Sequence, residues 1–368
     1  MRHLGDITKL DGACMEPVNV IIGGSPCQDL SIAGRREGLS GERSGLFMEQ
    51  IRIIKEMWDA DRILRGRTGK DIRPRFMVWE NVPGALSSNS GRDFAAVLEE
   101  TIRVVFKEAP DIPVPKKGWP TAGCISVGGD RPISVAYRVL DAQFWGVPQL
   151  RRRIALVADF AGGCAPEILF EREGMPGDHQ TGRETWKRIA AKVQTGAIGD
   201  DNVLEDAYTL KIRGGCAGGG KGVLIQTDRS ATLSTLHDQT LFQYGEHGQK
   251  CIVRRLTPLE YERLQGFPEG WTNIGDWTDA KGKRRKGDAD APRYKALGNS
   301  IAIPPWCYVL TRLSLVCGGE QTMGSLFDGI GGFPLIWETI NGKNTCLWAS
   351  EIEDFPIAVT QKRFNGEE

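Results

Sequence analysis

Gly324-Ser325-Leu326-Phe327-Asp328-Gly329-Ile330-Gly331-Gly332 reads as a short apolar strand that empties into a glycine-rich turn and then a helix. Glycines in such a turn let the backbone come close to a nucleotide-like ligand, although the same pattern also suits a tight strand-to-helix connection with no ligand. Glu351, an acid about twenty residues on and just past the next apolar run, tips the reading towards a nucleoside, because a carboxylate there accepts hydrogen bonds from ribose hydroxyls. The helix start, Gly332-Phe333-Pro334-Leu335, carries no basic residue for a phosphate. Adenosine without a pyrophosphate is the ligand expected.

On either side of this turn, short runs rich in β-branched residues alternate with segments of helical periodicity, the rhythm of parallel βα units. Strands are expected at 18–22, 76–79, 136–140, 154–158, 324–327 and 345–349. Helices are expected at 47–58, 93–106, 258–264, 301–315, 334–340 and 354–364, where apolar residues recur at three- and four-residue steps. The fold class is therefore α/β, a Rossmann-like sheet with helices on both faces. Between 160 and 250 the pattern gives way to polar, glycine-rich sequence, which suggests a smaller, irregular, mainly β domain inserted between 1–159 and 251–368. Ligands of an open parallel sheet sit past the carboxyl ends of its strands. Cys27, Glu80, Asp328 and Glu351, each following a candidate strand, are expected around one crevice.

Hydrophobic residues make up 40% and charged residues 26% of the 368, which argues against disorder, and no apolar run approaches a membrane span. The opening Met1-Arg2-His3-Leu4-Gly5-Asp6 has no secretory pattern. Nine cysteines without a C-x-x-C pair fit free thiols in a reducing compartment better than a disulfide frame or a zinc site. A cytoplasmic chain, a monomer with no membrane and no metal, is the expectation. Net charge is zero, so attraction to an anionic partner must come from local clusters, of which Arg151-Arg152-Arg153 and Lys281-Gly282-Lys283-Arg284-Arg285-Lys286 are two. The second, by itself, reads as a solvated loop.

Cys27 lies in Ser25-Pro26-Cys27-Gln28-Asp29. A lone cysteine is commonly a small buried hydrophobe. Here Pro26 stiffens the loop, and the segment 33–45, with Arg35, Arg36 and Arg43, has the composition of a basic lid whose closure would favour a thiolate. Glu80, in Trp79-Glu80-Asn81-Val82-Pro83, reads either as a surface carboxylate or as a partly buried acid able to donate a proton near neutrality. Arg151 and Arg153 fall on one face at period two as a strand begins, placed to hold one anion or polarised carbonyl together, or to form an ordinary exposed strand start.

Taken together, Phe327-Asp328-Gly329-Ile330-Gly331-Gly332, Ser350-Glu351-Ile352-Glu353, Gly5-Asp6-Ile7, Gly24-Ser25-Pro26-Cys27-Gln28, Arg43-Ser44-Gly45-Leu46-Phe47, Glu80-Asn81-Val82, Gln149-Leu150-Arg151-Arg152-Arg153, the stretch 255–268 and Gly298-Asn299-Ser300 make a set. In these motifs the chain resembles the C5-cytosine DNA methyltransferases. One departure is large: the glycine-rich motif at Phe327 follows Gly298-Asn299-Ser300 where the family opens with it, an order that reads as circularly permuted.

The resemblance implies S-adenosylmethionine as cofactor and double-stranded DNA as partner. Cys27 would attack C6 of a cytosine, Glu80 would hold N3 and the exocyclic amine, and Arg153 with Arg151 would hold the O2 side. The cofactor site would comprise Phe327, Asp328, Gly329, Ile330, Gly331, Gly332, Glu351, Ile352, Asp6, Ile7, Gly24, Pro26, Leu46, Asn299 and Ser300. In it Phe327 lies on the adenine, Asp6 at its amine, and Pro26, Leu46 and Asn299 at the methionine end. The target base would be flipped out of the duplex, with Gln28, Ser31, Arg35, Arg36 and Arg43 closing behind it. Thr232-Leu233 resembles the signature of the family's recognition domains, which read flanking bases in the major groove. An RNA cytosine methyltransferase, a catalytically silent DNA-binding relative and a nicotinamide-dependent oxidoreductase are the competing readings. Retention of Cys27 and Glu80 argues against the second, and the incomplete dinucleotide pattern against the third.

Overall fold

Side chains along the central strands are apolar on both sides, which demands helices over both faces of the sheet. The computed structural model describes residues 1–26, 45–129, 132–170, 207–214, 221–244, 251–287, 289–318 and 321–365. In chain order these form β1 (Arg2–His3), β2 (Val20–Gly23), α1 (Leu46–Ile63), β3 (Phe76–Asn81), α2 (Arg92–Ile102), β4 (Ala122–Val127), β5 (Ile133–Asp141), β6 (Arg152–Asp159) and α3 (Ala165–Leu169). There follow β7 (Ala207–Gly214), β8 (Lys221–Thr227), β9 (Gln239–Tyr244), β10 (Cys251–Arg255), α4 (Pro258–Gln265), β11 (Trp277–Thr278), β12 (Arg284–Arg285), α5 (Asp290–Asn299), α6 (Ile303–Cys317), β13 (Met323–Leu326), α7 (Gly332–Asn341), β14 (Cys346–Ser350) and α8 (Asp354–Phe364).

Eight strands make one sheet in the order β1-β14-β13-β2-β3-β6-β5-β4. Alternate residues of each strand go to opposite faces. Val20, Ile22, Val78, Ala155 and Val157 join one core with α6, α7 and α8, while Ile21, Met77, Trp79, Leu156 and Ala158 join the other with α1 and α2. The helices present matching stripes, such as Phe47, Ile51, Ile54 and Met57 on α1 and Trp306, Val309, Leu310 and Leu313 on α6. The result is the α/β, Rossmann-like architecture expected from the sequence.

Two expectations are corrected. The sheet is mixed: β1, β14, β13, β2 and β3 run parallel, whereas β6 is antiparallel to β3, β5 to β6, and β4 to β5. Period-two burial sets which face a side chain takes and is silent on strand direction, so the sequence pattern does not separate these cases. The strand 76–79 also runs on to Asn81, so that Glu80 belongs to the strand and not to the loop after it.

A second sheet, β10-β9-β7-β8, is wholly antiparallel. It meets the large sheet through backbone: Leu150 N donates to Ser230 O at 2.9 Å and Ser230 N to Pro148 O at 2.8 Å. Buried Gln149 ties three pieces together, donating to Leu264 O (2.9 Å) and Gln265 Oε1 (3.2 Å) and accepting from Leu233 N (3.4 Å). Gly298 closes the joint from α5: a Cβ there would lie 2.6 Å from the carbonyl carbon of Ser234. Gly298→Ala should therefore force the two sheets apart and lower stability by roughly 1–3 kcal/mol, read as a lower midpoint in chemical denaturation; an unchanged midpoint would show that the joint has room to spare.

Candidate active site

Glu80 and Arg153 form the centre of the site. Arg153 Nε lies 2.8 Å from Glu80 Oε1, and both side chains are largely buried, at 16% and 13% exposed. The antiparallel register makes this pair: Glu80 stands opposite Ala155 and Asn81 opposite Ile154, so the first residues of β6 meet the last of β3. Glu80 is thus paired with a guanidinium instead of lying in an apolar setting. Gly24, past the end of β2, lies against the same carboxylate, since a Cβ at 24 would be 3.2 Å from Glu80 Oε2.

The loop that leaves β2 is fastened to β3 by residues whose roles the sequence does not announce. Trp79 Nε1 donates to Ser25 Oγ at 3.0 Å, and Asn81 Nδ2 reaches the Ser25 carbonyl and hydroxyl, each at 3.4 Å. Gln50 of α1 backs Gly23, where a Cβ would lie 2.2 Å from Gln50 Oε1. Pro26, half-buried, is the last described residue before Cys27. Cys27, Gln28, Ser31, Arg35, Arg36 and Arg43 lie outside the described residues.

Arg151 and Arg153 part company. Arg151 is 2% exposed, and its guanidinium donates to Gly298 O at 3.2 Å and to Ser300 O. It braces the turn at the end of α5, while Arg153 alone goes to Glu80. Asn299 is exposed at that helix end. Thr232 and Leu233 also face inward: Thr232 Oγ1 donates to Leu150 O, and Leu233 is 2% exposed in the shared core. In this arrangement they hold the small sheet to the large one.

Around β13 and β14 the predicted nucleoside residues do gather. Phe327 sits at φ 55°, a left-handed backbone unusual for a side chain of this size, and begins the turn completed by Gly329 and Gly331, both also at positive φ. Gly329 N donates to Glu351 Oε2 at 2.8 Å, while Ile352 N and Glu353 N donate to Oε1 at 2.7 and 2.9 Å. The carboxylate has acceptor capacity left on Oε2. Ile352 is 70% exposed beside it, and Phe327 is half-buried. At the end of β14, Ser350 Oγ donates to the carbonyl of Gly5, just past the neighbouring β1, at 2.6 Å, which brings Asp6 to the same rim. Asp6 accepts from Thr8 N at 3.0 Å, and that bond, with the Thr8 hydroxyl, lowers its carboxyl below the usual range. Ile7 and Ile330 are buried packing residues, Gly332 is packed against Ile301 and Phe267, and Leu46 is half-buried at the start of α1. An acceptor for hydroxyls, exposed apolar surface and no cation at the start of α7 fit an adenosine moiety without phosphates. An apolar groove of about 840 Å³ lined by Trp58, Ile102, Phe106 and Val127 lies instead between the last turns of α1 and α2 and the edge strand β4, and shares no residue with this rim.

Asp328 points down and away from the rim. Ser325 Oγ donates to its Oδ1 at 2.6 Å, and Oδ2 is buried with no partner among the described residues. Burial pushes this carboxyl up to about 7, opposed by the Ser325 hydroxyl and helped by the Glu351 charge. The folded chain thus holds a proton that the unfolded chain releases near pH 4. The associated stability is complete below that point and is lost as pH rises towards 7. From pH 5 to 7.5 the wild type should lose on the order of 2 kcal/mol through this group, and Asp328→Asn, which keeps the neutral shape, should flatten that dependence in denaturant titrations. An unaltered pH profile would mean that Asp328 is ionised throughout.

Comparison with known proteins gives the family. The family model described as C-5 cytosine-specific DNA methylase matches residues 2–112 and 132–314. A protein of Escherichia phage P1 named DNA N-6-adenine-methyltransferase is 29% identical, over 87% of this chain and 56% of that protein. The type II methyltransferase M.BsuFI of Bacillus subtilis is 25% identical, over 82% of this chain and 58% of its own length. The chain spans less than two thirds of the length of either. The S. pombe Dnmt2 methyltransferase structure is 15% identical, with a TM-score of 0.42 and 84% and 83% of the two chains covered. With the family model matching most of its length, the chain belongs to the C-5 cytosine-specific DNA methylases.

Proposed function

We propose that this chain transfers a methyl group from S-adenosylmethionine to carbon 5 of cytosine in duplex DNA, with Cys27 as the covalent nucleophile. The observation that carries the reading is the Glu80–Arg153 pair packed against Gly24, on the loop that runs within three residues to Cys27. Glu80 would meet the cytosine with its carboxyl edge, donating a proton to N3 and accepting from the exocyclic amine, and Arg153 would donate to O2. Holding both sides of the ring draws electron density from C6, where the Cys27 thiolate adds and forms a C6–S bond. Electron density released at C5 then meets the electrophilic methyl group that bound S-adenosylmethionine supplies. Loss of the C5 proton to a base re-forms the C5–C6 double bond and expels Cys27, so the enzyme returns unchanged.

Phe327, Glu351, Ile352 and Asp6 would hold the adenosine part of the cofactor, and Pro26, Leu46 and Asn299 the methionine part. C6 is reached only from above the ring, so the cytosine must leave the stack. The β7–β10 sheet, docked beside Arg151 and Gly298, would read neighbouring base pairs in the major groove. A monomer acting in the cytoplasm suits this reading. The motif order further reads as a circular permutation: the Met1 ammonium donates to Asn365 Oδ1 at 3.0 Å, so residues 1 and 365 are neighbours in space.

The phage P1 relative is named for N6 of adenine, which makes that atom the second target to test. An exocyclic amine attacks the methyl group directly and needs no thiol. Bisulfite sequencing of DNA from cells expressing the chain should show 5-methylcytosine at a fixed sequence context. Cys27→Ser should reduce methylation below detection while S-adenosylmethionine still binds in calorimetry. N6-methyladenine as the product, or full activity of Cys27→Ser, would replace the cytosine reading with the adenine one.

A further inference from the structure

The basic stretch 281–286 is built into an ordered hairpin. Asp279 organises its turn, accepting from Lys281 N at 3.1 Å and Lys283 N at 2.9 Å through Oδ1, and pairing Arg285 at 2.9 Å through Oδ2. Asp276 accepts from Gly287 N at 3.0 Å and pairs Arg284 at 3.0 Å. Both acids are thereby used within the hairpin. Lys281, Lys283 and Lys286 are left exposed, with no ion pair among the described residues. From 276 to 287 five cations stand against two acids, a surplus of positive charge in a chain whose net charge is zero.

Its position is fixed by α8. That helix follows the carboxyl end of β14, so its first residue lies at the rim that carries Glu351 and its last at the opposite end of the sheet. The chain before the hairpin climbs it: Arg363 Nε donates to Trp271 O (2.9 Å) and Lys362 Nζ to Ile274 O (2.8 Å) near the helix end. Higher up, the Trp277 ring meets Phe355 edge-on at 5.4 Å, and Ala280 N reaches Asp354 Oδ1 at 3.3 Å at the helix start. The hairpin therefore reaches the rim at the carboxyl ends of β14 and β3, the end of the sheet at which Glu80 and Arg153 stand. From the hairpin, α5 leads to Gly298 and the joint with the small sheet, a run of ten residues and about 15 Å.

We infer that this hairpin is a second, sequence-independent contact for the phosphate backbone of the duplex, flanking the base pocket on the side away from the small sheet. The inference rests on the chain acting on DNA, as proposed above. Ammonium groups on an exposed turn meet phosphate oxygens without reading the bases. They displace condensed counterions, and each phosphate neutralised adds about 0.9 to the magnitude of the salt slope of binding.

The test is fluorescence anisotropy of a labelled duplex oligonucleotide across a sodium chloride series, with the full chain. Lys281→Gln, Lys283→Gln and Lys286→Gln combined should weaken binding to every duplex alike and lower the slope of log K against log salt by about 3. S-adenosylmethionine affinity should not change. Lys70→Gln with Lys107→Gln, at the amino ends of the strands, should leave the slope as it is. A triple variant that keeps the wild-type slope, while the wild type binds and methylates duplex, overturns the hairpin contact alone. A wild type that binds no duplex at low salt removes the DNA reading, and this inference with it.

Discussion

The reversal of β6 against β3 is the constraint on which the site depends. With the two strands antiparallel, the start of one lies beside the end of the other, and Arg153 comes within 2.8 Å of Glu80. A parallel β6 would begin at the far end of the sheet, roughly 15–20 Å away at the rise of an extended strand. The same reversal brings Gln149 and Leu150, just upstream of β6, to the rim where the small sheet attaches. One choice of strand direction thus sets both the chemistry at Glu80 and the mounting of the second sheet.

The joint between the sheets is polar at its centre and buried. Gln149 donates to α4 and accepts from Leu233, and Gln265 of α4 donates in turn to Leu297 O at 2.7 Å. Arg151 adds its bonds to Gly298 and Ser300. Buried polar groups of this kind are costly when any member is lost, because the partners left behind cannot reach water. That makes the joint specific in orientation. Arg151, Thr232 and Leu233, to which the family resemblance gives ligand contacts, act here with Gly298 as its fasteners.

Much of the fold was legible. The runs at 76–79 and 154–158 are apolar at every position and 18–22 is apolar but for Asn19, and all three became central strands; 354–364 became α8 with the same bounds. Strand direction was not legible, because an alternating or fully apolar run looks the same read either way. Glu351 and the Phe327 turn were found because loop glycines and a following acid have a local signature. The division of labour between Arg151 and Arg153 was hidden, since it depends on Gly298 and Glu80, each far off in sequence. The basic stretch 281–286, read as a solvated loop, is exposed throughout, but its hairpin pairing was not legible because it depends on Asp276, Asp279 and α8.

β13 lies in the middle of the large sheet, with Met323 beside Val20 on one flank and Cys346 on the other. During synthesis β2 leaves the ribosome some 300 residues before the strand that must cover its open side. Until then the nascent chain carries an unpaired run of Val20-Ile21-Ile22, a template for adhesion between chains. Cellular yield should accordingly depend on chaperone supply and on the pace of translation more than equilibrium stability would suggest.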